Sequence, residues 1–137
     1  MSFDSLFHNC YITSMEWPVE FTNEFGRWWE DLTAEEQESI EASVSLLEKY
    51  GPTLPFPHSS GVKQSRHSHM RELRIQHHGN PYRVLYAFDP LRVAILLIGG
   101  RKTGNERWYE EHVPIADRLY DEHVEQIERE RKAKEGE

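Results

Sequence analysis

The stretch "RELRIQHHGNPYRVLYAF", Arg71–Phe88, decides the fold that this sequence predicts. Its two ends alternate apolar with polar or charged residues, as strands with one buried face do, and the Gly79-Asn80 dipeptide between them is typical of a turn. A second turn sequence, "FDPLR", leads into the apolar run "VAILLI". We therefore expect three consecutive antiparallel strands, at Met70–His77, Tyr82–Phe88 and Arg92–Ile98.

The alternation divides the first two strands into two faces. One face is apolar and is expected to pack on helices; it carries Leu73, Ile75, His77, Tyr82, Val84, Tyr86 and Phe88. The other face carries Glu72, Arg74, Gln76, Arg83, Leu85 and Ala87. If the turn has an even length, Arg74 lies opposite Leu85 and shares a face with Arg83, whereas an odd turn would separate the two arginines. By the same parity, Tyr86 is predicted as a core residue rather than a catalytic phenol.

Cationic side chains are expected to converge at one end of this sheet. If the second turn is also even, Arg83 lies beside Ile98, where the third strand leaves towards Lys102. The predicted cluster contains Arg74, Gln76, Arg83 and Lys102, with Arg101 nearby and with Arg71 and Lys63 further out. Such groups suit a phosphate or carboxylate ligand. The alternative is that they pair with carboxylates of the last helix, such as Glu110, Glu111, Asp117 or Asp121.

Helical periodicity precedes these strands. The segment "FTNEFGRWWEDL" has apolar residues at helical spacing, and we expect its Trp28 and Trp29 to belong to the core. The segment "TAEE", from Thr33, is a capping box that begins a second helix, which Gly51 and Pro52 end. Two helices with so short a connection predict an antiparallel helical hairpin.

The order of elements predicts an α+β fold, in which a small, mostly antiparallel sheet packs on the N-terminal helical hairpin and a C-terminal helix follows. The segment "SMEWPVEF" adds a short strand that its proline confines to an edge or a strand end. The last helix is expected to begin near Pro114. We expect a single domain over residues 14–127, an N-terminal extension over 1–13, and a charged tail over 128–137 that frays.

The loop "PTLPFPHSSGVKQSRHSH" is longer than a usual connection, which predicts a functional or mobile segment. Histidines in or near it could ligate a metal, although exposed loop histidines are the plainer interpretation: His67, His69, His77 and His78. The later segment "GGRKTG" lacks the glycine that a phosphate-binding Walker motif places before its Gly-Lys-Thr. We expect neither a metal nor a cofactor at the predicted site.

Charge is distributed unevenly along the 137 residues, whose formal net charge is −8. Residues 63–107 carry about +6 and the remainder about −14, a pattern that suits a polyanionic ligand at a cationic centre or acidic helices around a basic sheet. Cys10 is the only cysteine, no signal peptide is recognisable, and the longest apolar run is too short to cross a bilayer. A cytoplasmic protein without disulfides or membrane contacts is expected.

Several short motifs, in their order and spacing, give the chain a specific resemblance over about residues 14–123. They are Glu72-Leu73-Arg74, Tyr82-Arg83, the strand Val93–Gly100, Lys102-Thr103, and Ala116 with Tyr120. On these motifs the sequence resembles the RelE/ParE-superfamily toxins of bacterial type II toxin–antitoxin systems, and most closely their phage-derived, HigB-like branch. Position 101 departs from this pattern, since an arginine stands where an acidic residue is expected before Lys-Thr.

The resemblance implies a microbial-RNase-like α+β fold and a metal-independent mRNA endonuclease that inhibits translation at the ribosome. It also implies a cognate antitoxin, often a helix-turn-helix protein in this branch. Arg74, Arg83 and Lys102 fall on matching motif positions, and they would stabilise the phosphorane formed when the ribose 2′-hydroxyl attacks. Glu72 is a candidate general base, with His77 or His78 as the alternative. Arg71, Gln76, Arg101 and Lys63 are the candidate phosphate-binding residues around them.

Two other functions remain open because fold does not determine function. One is a ParE-like inhibitor of DNA gyrase, which needs no phosphate pocket. The other is a degenerate, non-catalytic member that only binds its antitoxin or nucleic acid, which the acidic ends of the chain would suit.

Overall fold

The computed structural model describes residues 16–136, which form a five-stranded sheet with helices on both faces. The strands are β1 (Val19–Phe21), β2 (Ser59–Gly61), β3 (Arg71–His77), β4 (Asn80–Phe88) and β5 (Ala94–Arg101). The helices are α1 (Asn23–Glu30), α2 (Ala34–Tyr50) and α3 (Trp108–Glu135), with a 3-10 turn at Gly51–Thr53. The strand order is β1-β5-β4-β3-β2; β1 runs parallel to β5, and the other neighbours are antiparallel. The predicted α+β class is therefore confirmed, while the predicted extension over 1–13 lies outside the described residues.

The helical hairpin forms from two capped helices that the three residues 31–33 connect. At α1 the Thr22 hydroxyl accepts a hydrogen bond from the Phe25 N–H (3.0 Å). At α2 the predicted capping box is present, because Thr33 Oγ1 accepts from the Glu36 N–H (3.1 Å) while Glu36 accepts from the Thr33 N–H (2.8 Å). These caps satisfy backbone donors that a helix start leaves open.

One face of the sheet packs on this hairpin, as the strand parity predicts. Its buried side chains are Leu73, Ile75, Tyr82, Val84, Tyr86, Ala94 and Leu96, and the helices contribute Phe25, Trp29, Ile40, Val44 and Leu47. Tyr86 is fully buried and its hydroxyl lies 2.7 Å from Ser59 Oγ, so its predicted place in the core is confirmed. Burial of this apolar set is the main force that holds the hairpin on the sheet.

The opposite face packs on α3. Buried here are Leu85, Ala87, Ile95 and Leu97 from the sheet, with Trp108, Val113, Ala116, Leu119 and Tyr120 from the helix. Two glycines of β5 permit close packing on both faces: a Cβ on Gly99 would stand 2.2 Å from the Trp28 ring, and one on Gly100 would stand 2.6 Å from Trp108 Nε1. The first two glycines of "GGRKTG" thus serve tryptophan packing at the end of β5.

The turn between β3 and β4 lies one residue earlier than predicted. His78 (φ 50°) and Gly79 (φ 78°) form the two-residue turn, and His77 pairs with Asn80. Positive φ at both positions is the geometry of the tight hairpin turns whose twist matches that of the strands. The turn is still even, so parity is preserved, but the register moves by two residues and Arg74 lies opposite Arg83 rather than Leu85.

The connection between β4 and β5 differs from the even turn that was predicted. Five residues, 89–93, separate the pair Phe88 and Ala94, because the Asp89 carboxylate accepts from the N–H groups of Leu91 (2.8 Å) and Val93 (3.0 Å). A bulge at Leu97 then restores the parity. The predicted pairing of Arg83 with Ile98 is therefore wrong.

Arg83 pairs instead with Gly100, which brings it within two residues of Lys102.

Helix α3 begins at Trp108, six residues before the predicted start at Pro114. Pro114, inside the helix, removes one helical hydrogen bond, but the burial of Val113 before it and of Ala116 after it holds the helix against the sheet. The helix also continues past Glu128 to Glu135.

The predicted long loop contains β2, a three-residue edge strand that its serine-rich sequence concealed. Within residues 16–136, no helix has the length and apolar character needed to cross a membrane.

Candidate functional site

The even turn between β3 and β4 places three predicted site residues on one face of the sheet. Arg74 and Arg83 are direct cross-strand partners, and Glu72 precedes Arg74 by two residues on the same side. Like charges directly opposite each other destabilise a sheet. A carboxylate between them is needed to offset this repulsion, and Glu72 supplies it.

Glu72 is buried, and each of its carboxylate oxygens has two partners. Oε1 accepts from the Tyr109 hydroxyl (2.5 Å) and lies 3.3 Å from Arg83 Nε. Oε2 accepts from Ser60 Oγ (2.7 Å) and lies 3.4 Å from Arg74 Nη1. A buried carboxylate needs such partners because it has lost its hydration. Glu72 therefore organises the cluster, and both of its oxygens are occupied.

Arg83 is the buried member of the cation pair, with 5% of its side chain exposed, whereas 30% of Arg74 is exposed. Arg83 Nη1 donates to the Tyr82 carbonyl (3.0 Å). Its Nε is close to Glu72 but is not aligned for a hydrogen bond with any group of the described residues, so their attraction is mainly Coulombic. Arg74 is thus the arginine of this pair that is more accessible to a ligand.

Tyr109, in the first turn of α3, connects this cluster to Lys102. Lys102 Nζ lies 5.0 Å from the centroid of the Tyr109 ring, in a cation–π arrangement. Burial, followed by the hydrogen bond to Glu72, raises the pKa of the Tyr109 phenol above its usual value. Both residues line an open cavity of about 740 Å³, together with Gly104, Asn105 and Glu106. The cavity gives a ligand access to the side chains of Tyr109 and Lys102.

Tyr109 and Ser60 were not found from the sequence. Tyr109 was assigned to a loop because the helix was expected to begin at Pro114, yet Trp108 and Val113 continue the apolar face of α3 and could have revealed the earlier start. Ser60 lies in the unpredicted strand β2, opposite Glu72. Two serines side by side in a loop gave no signal of a strand.

The other predicted phosphate-binding residues are distributed around this cluster rather than within it. Gln76 is exposed and shares the face of Arg74. Arg101 pairs with Tyr82 and therefore points to the hairpin face, where its charge acts on the Tyr82 phenol. Arg71 also points to that face and donates from Nε to Ser59 Oγ (3.1 Å). Lys63 lines a separate cavity of about 630 Å³, which includes Ser60 and Arg66.

The four histidines considered as metal ligands or as a base do not contact the cluster through their side-chain hydrogen bonds. His77 Nδ1 is 2.7 Å from Ser39 Oγ on the hairpin side, and His78 faces Glu35 (3.3 Å). Their potential ligand atoms and that of Glu35 lie within 4.8 Å of one another, a spacing that could hold a metal ion. His67 and His69 lie against α3, where they contact Asp121 (2.9 Å) and the Tyr120 hydroxyl (3.0 Å) respectively. The geometry therefore removes His77 and His78 as alternatives to Glu72.

Comparisons with known proteins agree with this architecture. A family model described as "Phage derived protein Gp49-like (DUF891)" matches residues 27–121. Two Mycobacterium tuberculosis (strain ATCC 25618 / H37Rv) proteins, provisionally named toxin HigB2 and toxin HigB3, are similar in sequence. The first is 35% identical over 136 residues, which is 93% of this chain and 67% of the relative. The second is 46% identical over 92 residues, which is 66% of this chain and 79% of the relative.

Among solved structures, a double arginine-to-alanine mutant of the Escherichia coli toxin RelE in the free state has a similar fold. The TM-score is 0.50 at 14% sequence identity, and the match covers 70% of this chain and 94% of the RelE chain. This likeness shows the fold alone, whereas the family match spans most of the chain. The chain therefore belongs to the phage-derived Gp49-like family, and its sequence is similar to toxins of the HigB type.

Proposed function

We propose that this chain is the toxin of a type II toxin–antitoxin system and that it cleaves mRNA at the ribosome without a metal ion. The observation that carries the proposal is the convergence of Arg74, Arg83 and Lys102 around Glu72 and Tyr109. The names of the two mycobacterial relatives support the toxin assignment. The cluster supports the endonuclease activity.

The proposed reaction is a transesterification within the RNA. The ribose 2′-oxygen bonds to phosphorus while the bond from phosphorus to the 5′-oxygen breaks, which leaves a 2′,3′-cyclic phosphate and a 5′-hydroxyl. Negative charge builds up on the equatorial oxygens of the phosphorane, so fixed cations accelerate the step. Arg74 and Lys102 are the accessible cations that would contact this phosphate, and the buried Arg83 would add its field from beneath.

Proton transfers at the attacking and at the leaving oxygen complete the step. Glu72 is enclosed by its partners, so we assign it an indirect role: the 2′-hydroxyl proton passes to the Tyr109 oxygen as the Tyr109 proton passes to Glu72. Tyr109 is then a catalytic residue, and Glu72 and Ser60 are positioning residues. Lys102, next to the Tyr109 ring, would donate the proton that converts the leaving 5′-oxygen into the 5′-hydroxyl.

Inducible expression without the antitoxin tests the function. We expect rapid arrest of translation, with mRNA cut inside codons and 2′,3′-cyclic phosphates at the new ends. DNA damage with intact mRNA would point instead to inhibition of gyrase. Unimpaired growth at good expression would overturn both and favour a degenerate, non-catalytic member. The pairing of buried Arg83 with Glu72 is the observation that favours this last alternative, since part of the cation charge is already neutralised.

Two neighbouring cations provide a matched pair of variants. Lys102→Ala removes the cation beside Tyr109 and should abolish toxicity, because Lys102 lines the cavity. Arg101→Ala removes a cation of the opposite face and should leave toxicity within about threefold of the parent, since exposed groups away from a site contribute little. Equal toxicity of the two variants would contradict the placement of the site.

The partner that we propose is a cognate antitoxin, a helix-turn-helix protein encoded by a short neighbouring gene. Co-expression of that gene should restore growth, and its product should co-purify with this chain. A neighbouring product that neither binds nor neutralises the toxin would contradict the toxin–antitoxin assignment of the gene pair.

A further inference from the structure

Phe56 is the most exposed of the large apolar side chains in the described part of the chain, with 68% of its surface accessible. An aromatic ring left in water contributes little to the stability of the fold. Phe56 is also absent from both apolar clusters that pack on the sheet. Single exposed apolar side chains are common on protein surfaces, so the exposure of Phe56 suggests a ligand only together with the contact between its ring and Arg74.

The ring is attached to the sheet by a short, constrained turn. Prolines stand on both sides of it, and each proline restricts its own backbone φ. The His58 N–H donates to the Pro55 carbonyl (3.0 Å), and the His58 carbonyl accepts from the Arg74 N–H (2.9 Å). Phe56 is thus held next to β3 before any ligand arrives, which lowers the entropic cost of binding on it.

Arg74 connects this ring to the catalytic cluster. Its guanidinium carbon lies 5.1 Å from the centroid of the Phe56 ring, and its Nη1 lies 3.4 Å from Glu72. The same arginine therefore contacts an exposed aromatic surface and the buried carboxylate of the site. A nucleotide whose phosphate reaches Arg74 would bring a neighbouring base over Phe56.

We propose that Phe56 and Arg74 form a stacking platform for an unpaired nucleobase of the RNA, beside the scissile phosphate. Aromatic rings and guanidinium planes are the surfaces on which proteins stack single-stranded bases, and such stacking tolerates any base because each has a π-face. The proposal rests on the proposed function, and it identifies single-stranded RNA with a stackable base as the ligand. It adds a binding role to Phe56 without giving it a part in the chemical step.

The test is single-turnover cleavage of an mRNA bound to bacterial ribosomes, measured over a range of toxin concentrations. Phe56→Leu removes the ring while keeping an apolar side chain, and it should raise the half-saturating concentration by roughly 5- to 100-fold. The maximal rate should change much less, because Phe56 does not touch the reacting atoms. Phe56→Trp should behave like the parent. Leu91→Ala, at an equally exposed apolar residue (65%) in the β4–β5 connection, is the matched control and should have no effect.

An abasic residue introduced singly along the mRNA near the cut sharpens the test. At the position whose base stacks on Phe56, the abasic residue should weaken binding of the parent by the same factor as Phe56→Leu does. At that position it should not weaken binding of the Phe56→Leu protein any further. A Phe56→Leu protein with the half-saturation of the parent overturns the platform but leaves the proposed function intact. Loss of antitoxin binding with unchanged RNA cleavage also overturns it, because Phe56 would then belong to a protein interface. A parent protein that cleaves no mRNA overturns both proposals.

Discussion

The two faces of the sheet are covered in different ways, and the difference separates fold from function. The hairpin face is apolar over β3, β4 and β5, and its polar contacts, such as that of the Tyr82 hydroxyl with Glu36, lie at the edge. The α3 face is apolar around Leu85 and Leu97. Next to Leu85, towards the turn between β3 and β4, the same face carries Glu72, Arg74 and Arg83. The first turn of α3 covers Glu72 and Gly100 there, and this end of the sheet is open to a ligand at the partly exposed Arg74 and Lys102. We therefore expect substitutions on the hairpin face to affect stability and those at the open end to affect activity.

Phe25→Ala should have the largest effect on stability. The ring is fully buried between the hairpin and the sheet, so its removal should lower the free energy of unfolding by about 3–5 kcal/mol. Urea denaturation measures the loss. Cleavage per folded molecule should be unchanged at a temperature where the variant is folded. A fall in that specific activity would show that the two faces are not independent.

Arg83→Met tests whether the polar cluster also contributes to the fold. It leaves the Glu72 carboxylate buried without its close cation, so we expect a loss of about 3 kcal/mol in the free energy of unfolding. Arg74→Met, at a partly exposed arginine of the same cluster, should cost less than about 1 kcal/mol while reducing activity as strongly. Equal losses of stability would contradict the assignment of Arg83 to the interior.

Tyr109→Phe and Tyr82→Phe form a matched pair across the two faces. Each removes a hydroxyl that donates to a glutamate at 2.5 Å, Glu72 in one case and Glu36 in the other. Each should lower the free energy of unfolding by about 1 kcal/mol. Only Tyr109→Phe should reduce the cleavage rate, by about 100-fold, if the phenol relays a proton. A comparable rate loss in Tyr82→Phe would move the chemistry away from Tyr109.

The smallest effect is expected at the capping box of α2. The hydrogen bond from the Thr33 backbone N–H, then that from Tyr82, holds the pKa of Glu36 below its ordinary value of 4.5. A carboxyl with a lowered pKa stabilises the folded state above its ordinary pKa, and this contribution is lost as the pH falls below that value. The difference in unfolding free energy between the parent and Glu36→Gln should therefore shrink from pH 6 to pH 3. A difference that grows towards acid would contradict the sign of the shift.

Much of the fold could be predicted because it follows from local patterns. Alternation in Arg71–Phe88 predicted which side chains face the hairpin, and the Thr33–Glu36 capping box predicted the start of α2. The registers were less predictable, because they depend on where a turn begins and on side chains such as Asp89 that lengthen a connection. Strand parity survived these errors because both registers moved by an even number of residues.

The candidate site was predictable only in part, for the same reason. Arg74, Arg83 and Glu72 were identified from strand parity and motif spacing, which are properties of one hairpin. Tyr109 reaches Glu72 from 37 residues further along the chain, and that contact depends on how α3 packs against Gly100. No local pattern encodes it. Arg101 was misplaced because adjacent residues at the end of a strand point in opposite directions.

The bulge at Leu97 decides which residues at the end of β5 face the cluster. Side chains alternate between the two faces of a strand, so a shift by one residue reverses this phase. The five-residue connection before β5 sets one phase, and the extra residue of the bulge reverses it. Deletion of Leu97 would remove the bulge but keep this phase, because Tyr86 would still pair with Leu96 and Leu85 with Ile98. A one-residue insertion after Ile98, with the bulge in place, would instead turn Arg101 towards the cluster and Lys102 towards the hairpin. Any remaining toxicity of that variant should then depend on Arg101 rather than Lys102.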